Sequence, residues 1–96
     1  MNPILKIDEK DNVATCLREI PSAETVSCDG YNVKAKSDIP QYHKIALMDI
    51  SVGSNVMKYG QIIGIATKDI LAGEHVHVHN IESTRGRGDK KGGATV

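Results

Sequence analysis

The sequence has no tryptophan and no phenylalanine, and its aromatic complement is Tyr31, Tyr42 and Tyr59. A 96-residue chain without larger rings must fill its core with Ile, Val, Leu, Met and Ala. Such a core is modest, because a domain of this size buries only about 60–65 % of its unfolded surface. This favours one small β-rich domain that gains stability from a partner chain. Charge of one sign is missing too, since 12 Lys and Arg balance 12 Asp and Glu. That argues against a dedicated nucleic-acid binder, which carries a basic excess. Cys16 and Cys28 form no Cys-x-x-Cys pair and have no histidine at zinc-finger spacing, so they read as ordinary thiols in a reducing compartment. No stretch approaches the ~18 apolar residues of a membrane span. The start, Met1 to Lys6, shows no signal-peptide pattern. The expectation is a cytoplasmic protein with no membrane contact.

What the sequence does contain is a motif met four times: an acid, Ile, a short turn, then Val or Ile. It runs Glu19–Val26, Asp38–Ile45, Asp49–Val56 and Asp69–Val76. Each copy should bury its Ile, turn at Pro or Gly, and open a strand at the closing β-branched residue. Gly53 and Gly73 suit a turn position of positive φ; Ala23 and Tyr42 depart from that pattern. The acids Asp38, Asp49 and Asp69 are assigned to turn stabilisation. The copies are unevenly spaced, which excludes a regular solenoid.

Short β-branched runs lie between the turns: Ile4 to Ile7, Asn12 to Leu17, Asn32 to Ala35, Lys44 to Leu47, Gln61 to Thr67 and Glu74 to Asn80. Cys28-Asp29-Gly30-Tyr31 carries the Asp-Gly signature of a tight hairpin. Asp11 to Glu19 also has apolar residues at helical spacing, but it runs into a Pro turn and is assigned to a strand. The fold class is all-β, with an irregular domain over 1–82. Residues 83–96, rich in Gly, Arg and Lys, hold no periodic apolar residue to bury, and read as a flexible tail, either a linker or a docking arm that orders against a partner.

The chemistry-bearing stretch is His75-Val76-His77-Val78-His79-Asn80. On a strand, alternate residues share a face, so the three imidazoles would lie together while Val76 and Val78 enter the core. Imidazole ligates metals and titrates near neutral pH. Spacing alone leaves open both a ligand site and a solvated face rich in histidine.

The combination of Asp11-Asn12-Val13-Ala14, Asp38-Ile39-Pro40, His43-Lys44-Ile45-Ala46-Leu47, Lys58-Tyr59-Gly60, Ile63-Gly64-Ile65-Ala66-Thr67 and Gly73 to Asn80 resembles the SAF domain of the altronate and galactarate dehydratase family. The motifs occur in the same order from about Ile4 to Ile81, which makes the set far more specific than any member. The resemblance implies a β-clip fold of compact, irregular ribbons. It also implies a hydro-lyase that removes water from a sugar acid, using a divalent metal, Fe2+ or Mn2+, held by this chain or its partner. In that family the domain is fused to a large catalytic domain or made as a separate small subunit, as in the related sulfolactate sulfo-lyase. This chain resembles the separate version, so the expected partners are a large dehydratase subunit and a sugar acid, with homo-oligomerisation open.

Carried onto this sequence, the resemblance implies His43, His77 and His79 as catalytic residues, with His77 and His79 also metal ligands. Lys44, Tyr59 and Asn80 are implied for substrate binding, and His75 ranks as the most replaceable imidazole. Lys44 would face the substrate carboxylate, or stand as an exposed lysine. Tyr59 would line the site through its hydroxyl or cap the small core. Asn80 would contact substrate or satisfy backbone groups where its strand ends. The competing functional readings are a stand-alone module that binds sugar acid or metal, a sulfolactate sulfo-lyase-type small subunit, and a purely structural assembly subunit.

Overall fold

The computed structural model describes residues 3–28 and 30–83. These hold nine short strands and no helix: β1 Ile4–Leu5, β2 Val13–Cys16, β3 Thr25–Cys28, β4 Tyr31–Lys34, β5 Lys44–Ala46, β6 Asn55–Lys58, β7 Gln61–Ala66, β8 His75–Val76 and β9 Ile81–Ser83. They form three antiparallel sheets, ordered β1-β2-β5-β8, β3-β4 and β6-β7-β9. The all-β class and its irregular β-clip character are as the sequence suggested. The Asp11 to Glu19 segment contributes a strand, β2, rather than a helix. The tail expected over 83–96 lies, beyond Ser83, outside the described residues.

The four motif copies organise the core by pairing. Ile20 and Ile39 exchange backbone hydrogen bonds of 2.9 and 2.8 Å, and Ile50 and Ile70 exchange bonds of 2.7 and 2.8 Å. All four are buried, as are the closing residues Val26, Ile45, Val56 and Val76. Ile20, Val26, Ile39 and Ile45 belong to one apolar cluster, and Ile50, Val56, Ile70 and Val76 to a second. Each full burial of such a side chain contributes about 1.5–3 kcal/mol, so one motif pair anchors each cluster. Strands β2 and β5 stand between the clusters: Ala14 and Ile45 face the first, Val13 and Ala46 the second.

The turns obey one backbone rule in all four copies. The fifth residue has positive φ whether it is Gly53 (86°), Gly73 (92°), Ala23 (77°) or Tyr42 (70°). Two L-residues thus occupy a conformation that disfavours a Cβ. The aspartates do stabilise turns, but crosswise. Asp49 accepts from Ala72 N–H at 2.9 Å, Asp69 from Val52 N–H at 2.9 Å, and Asp38 from Ser22 N–H at 2.8 Å. Each acid caps the turn of the copy its own copy is paired with.

Two expected strands keep half or less of the apolar runs. The first stops at Leu5 because Asp11 gathers the neighbouring backbone: its carboxylate accepts from the N–H groups of Ile7, Asp8, Tyr59 and Gly60. Burial opposes ionisation of Asp11, but these four donors prevail and hold its pKa below the usual value. The histidine run is the larger correction. Only His75–Val76 is a strand, and His77 to Asn80 fold into a turn. Val76 is fully buried, whereas Val78, expected in the core, is 80 % exposed.

Candidate functional site

The histidines meet through strand register rather than along one strand. In the β5–β8 pairing Lys44 lies opposite Val76 and Ile45 opposite His75. Continuing that register sets His43 across from His77, and their rings stack with centroids 4.2 Å apart at 18°. His43 and His75 stack at 5.0 Å, with Nδ1 of His43 hydrogen-bonded to Nε2 of His75 at 2.8 Å. His75 and His77 are 5.6 Å apart at 11°. His79 tilts against His75 alone, at 5.1 Å and 42°.

A buried amide fixes the turn that brings His77 round. Asn80 is 2 % exposed. Its Nδ2 donates to the His75 carbonyl at 2.9 Å, and its Oδ1 accepts from the His77 N–H at 3.0 Å. The His77 carbonyl accepts from the N–H groups of Asn80 and Ile81, closing the turn. An Asn side chain that mimics backbone in this way competes directly with strand extension. The run leaves the sheet after Val76 for that reason.

Electrostatics favour the neutral form of His75 and His77. Burial, then the neighbouring His43, His79, His77 and Lys44, push His75 down to about 4. Burial, His43, Lys44 and His79 likewise lower His77. Neutral imidazoles expose the lone pairs a metal needs. One ring nitrogen from each of His43, His75 and His77 lies within 4.8 Å of the others, the one such group found among the described residues. Bonds of about 2.0–2.1 Å to a shared ion would set the nitrogens about 3–3.4 Å apart, a small closure of the present cluster. The residues fit a metal.

The residues read from the sequence distribute unevenly over this site. His43 and His77 are in the cluster, and His79 stands at its rim. His75, ranked lowest, sits in contact with all three other rings; its signal was its register opposite Ile45, a long-range pairing. Lys44 leaves β5 on the face opposite Ile45, and burial, with Lys58 nearby, lowers its pKa. Tyr59 lies in the β6–β7 turn, 53 % exposed at φ 58°, with Lys58 Nζ 4.7 Å from its ring centroid. Asn80 uses both ends of its amide on backbone. A cleft of about 260 Å³ opens beside the rings, lined by Lys36, Ser37, Glu74, His75 and His79. Lys36 and Ser37 went unnoticed in the sequence because they follow β4, which belongs to another sheet.

The sequence model of the altronate/galactarate dehydratase SAF domain matches residues 2–84. This chain belongs to that family. The SAF domain is 47 % identical over 76 residues to altronate dehydratase of Escherichia coli (strain K12), covering 79 % of this chain and 15 % of that one. It is 42 % identical over 83 residues to altronate dehydratase of Bacillus subtilis (strain 168), covering 86 % and 17 % respectively. It is also 42 % identical over 55 residues to the (2R)-sulfolactate sulfo-lyase subunit alpha of Paracoccus pantotrophus, covering 57 % of this chain and 82 % of that subunit. The chain therefore spans less than a fifth of the altronate dehydratases it matches. Among the described residues no helix is long and apolar enough to cross a membrane.

Proposed function

We propose that this SAF domain is the small subunit of a sugar-acid dehydratase and completes the active site of a large catalytic subunit with its imidazole cluster. The observation that carries this reading is the convergence of His43, His75 and His77 beside an open cleft, on a domain whose relatives are named dehydratases and a lyase subunit. The reaction removes a proton from the carbon next to a carboxylate and expels the β-hydroxyl as water, giving an enol that becomes a 2-keto-3-deoxy acid. Proton loss builds charge on the carboxylate oxygens, and a bound divalent metal supplies Lewis acidity for that charge. His43, His75 and His77 would hold the ion. An all-imidazole donor set suits Fe2+ better than Mn2+, which prefers oxygen ligands. His79, exposed at the rim and outside the ligand set, is placed to carry a proton to or from the leaving hydroxyl. Asn80 positions His75 and His77 through their backbone and does not touch substrate.

The test is reconstitution. Mixing the chain with a large dehydratase-type subunit should produce keto acid from altronate or galactarate, with neither chain active alone. Full activity of the large subunit without this chain would overturn the proposal. A second reading, a sulfolactate sulfo-lyase-type subunit, is favoured by the 82 % coverage of that alpha subunit. Sulfolactate in the same assay separates the two, through release of sulfite instead of water.

A further inference from the structure

The cleft next to the imidazoles has a chemistry of its own. Lys36 and Ser37 form one wall, Glu74 another, and His75 and His79 join it to the cluster. Its volume of about 260 Å³ lies below the usual range for drug-sized ligands, so it fits a short molecule. Among the described residues the one ion pair is Arg18 with Glu24. The Lys36 ammonium and the Glu74 carboxylate thus line the same space without engaging one another. Both remain available to a ligand.

The cleft is also built rather than incidental. The Lys36 N–H donates to the Gly73 carbonyl at 3.0 Å. A Cβ on Gly73 would stand 2.0 Å from the Lys34 carbonyl oxygen and 3.6 Å from Cγ of Lys36. The strand end carrying Lys36 therefore lies directly on the turn that leads into His75. The absence of a side chain at position 73 lets the Lys34 backbone, two residues before Lys36, cross there.

We infer that this cleft seats a short hydroxylated carboxylic acid, with its carboxylate on Lys36 and its hydroxyls on Ser37 and Glu74. An ammonium on a flexible stem binds carboxylate as a point charge. A neutral hydroxyl and an acceptor-only carboxylate recognise the donors and acceptors of a polyol chain. His75 and His79 border the same space, so the bound acid lies against the imidazole cluster. This assignment deepens the dehydratase reading and names Lys36 as a substrate-binding residue.

The experiment reads binding on the full chain, without partner or turnover. Altronate is titrated into 15N-labelled protein, and amide shifts are followed for the chain, for Lys36→Met and for Lys10→Met as an exposed control. Shifts should centre on Lys36, Ser37, Glu74 and His75, and Lys36→Met should weaken binding roughly tenfold. Lys10→Met should stay within about twofold. Altritol, the polyol without the carboxylate, should bind Lys36→Met and the parent alike. Equal altronate affinity in Lys36→Met, shifts centred elsewhere, or no saturable shift at millimolar acid would each overturn the assignment. A reconstituted enzyme without dehydratase activity would count against the proposed function and leave this binding result standing.

Discussion

The two motif pairs build the same turn geometry from different residues. In the Ile50/Ile70 pair both positive-φ positions are glycine, and both turns are capped reciprocally by Asp49 and Asp69. In the Ile20/Ile39 pair those positions are Ala23 and Tyr42, and the only aspartate cap runs from Asp38 to Ser22. Glu19 stands where the fourth aspartate would be, and Arg18 engages Glu24 nearby. One pair is relaxed at glycine, whereas the other keeps L-residues in that conformation, with the Ala23 N–H bonded to the Ala35 carbonyl at 2.8 Å and the Tyr42 N–H to the Cys16 carbonyl at 2.6 Å. Each pair delivers one side of the histidine cluster: Tyr42 precedes His43, and Gly73 precedes His75 by one turn residue. The site therefore draws on both kinds of support.

This contrast can be broken most severely at Gly73. Gly73→Ala puts a methyl group into the Lys34 carbonyl at positive φ, and should cost about 3 kcal/mol or more in urea unfolding. Gly53→Ala, at a similar φ but with nothing within 4 Å, should cost only about 1 kcal/mol. Equal losses would show that backbone conformation, not the Lys34 contact, sets the requirement.

The next largest effects fall on the histidines. Replacing His43, His75 or His77 by Ala should each lower Fe2+ or Co2+ affinity about 100-fold in anaerobic titration, since each removes a proposed ligand. His79→Ala should change it by less than about tenfold. A larger effect at His79 than at His75 would reverse the ligand assignment and restore the order suggested by sequence alone.

Smaller effects test the caps. Asp69→Ala leaves the Val52 N–H without its acceptor and should destabilise by about 1 kcal/mol, whereas Glu19→Ala, which has no counterpart cap to lose, should fall within about 0.5 kcal/mol. One change of similar size should be a gain. Ala23→Gly relieves the positive-φ residue and should raise stability by about 0.5–1 kcal/mol, an increase the Ile50/Ile70 turns cannot show because glycine is already there.

Much of this architecture was legible in the sequence because it repeats. The acid–Ile–turn–Val spacing located the buried isoleucines, the turns and the start of four strands to within a residue. Three features escaped for physical reasons. Alternation in His75 to Asn80 satisfies a strand, but it does not reveal that the amide of Asn80 will replace a partner strand for His77. The centrality of His75 depends on β8 pairing with β5, some thirty residues away, and no local pattern encodes that register. Lys36 is harder still, because it reaches the cleft across the join between two sheets.

The order of strands in the main sheet has a kinetic consequence. Strands β1, β2 and β5 come from the first half of the chain and can pair while the rest is unformed, but β8 is contributed late and occupies the outer edge. Long-range pairings of this kind form slowly. His43 is left with no ring beside it until β8 docks, and His77 arrives only when Asn80 is buried. A half-folded chain thus presents isolated imidazoles, which bind metal weakly. On the proposed metal role, capture of an ion would wait until the chain has closed.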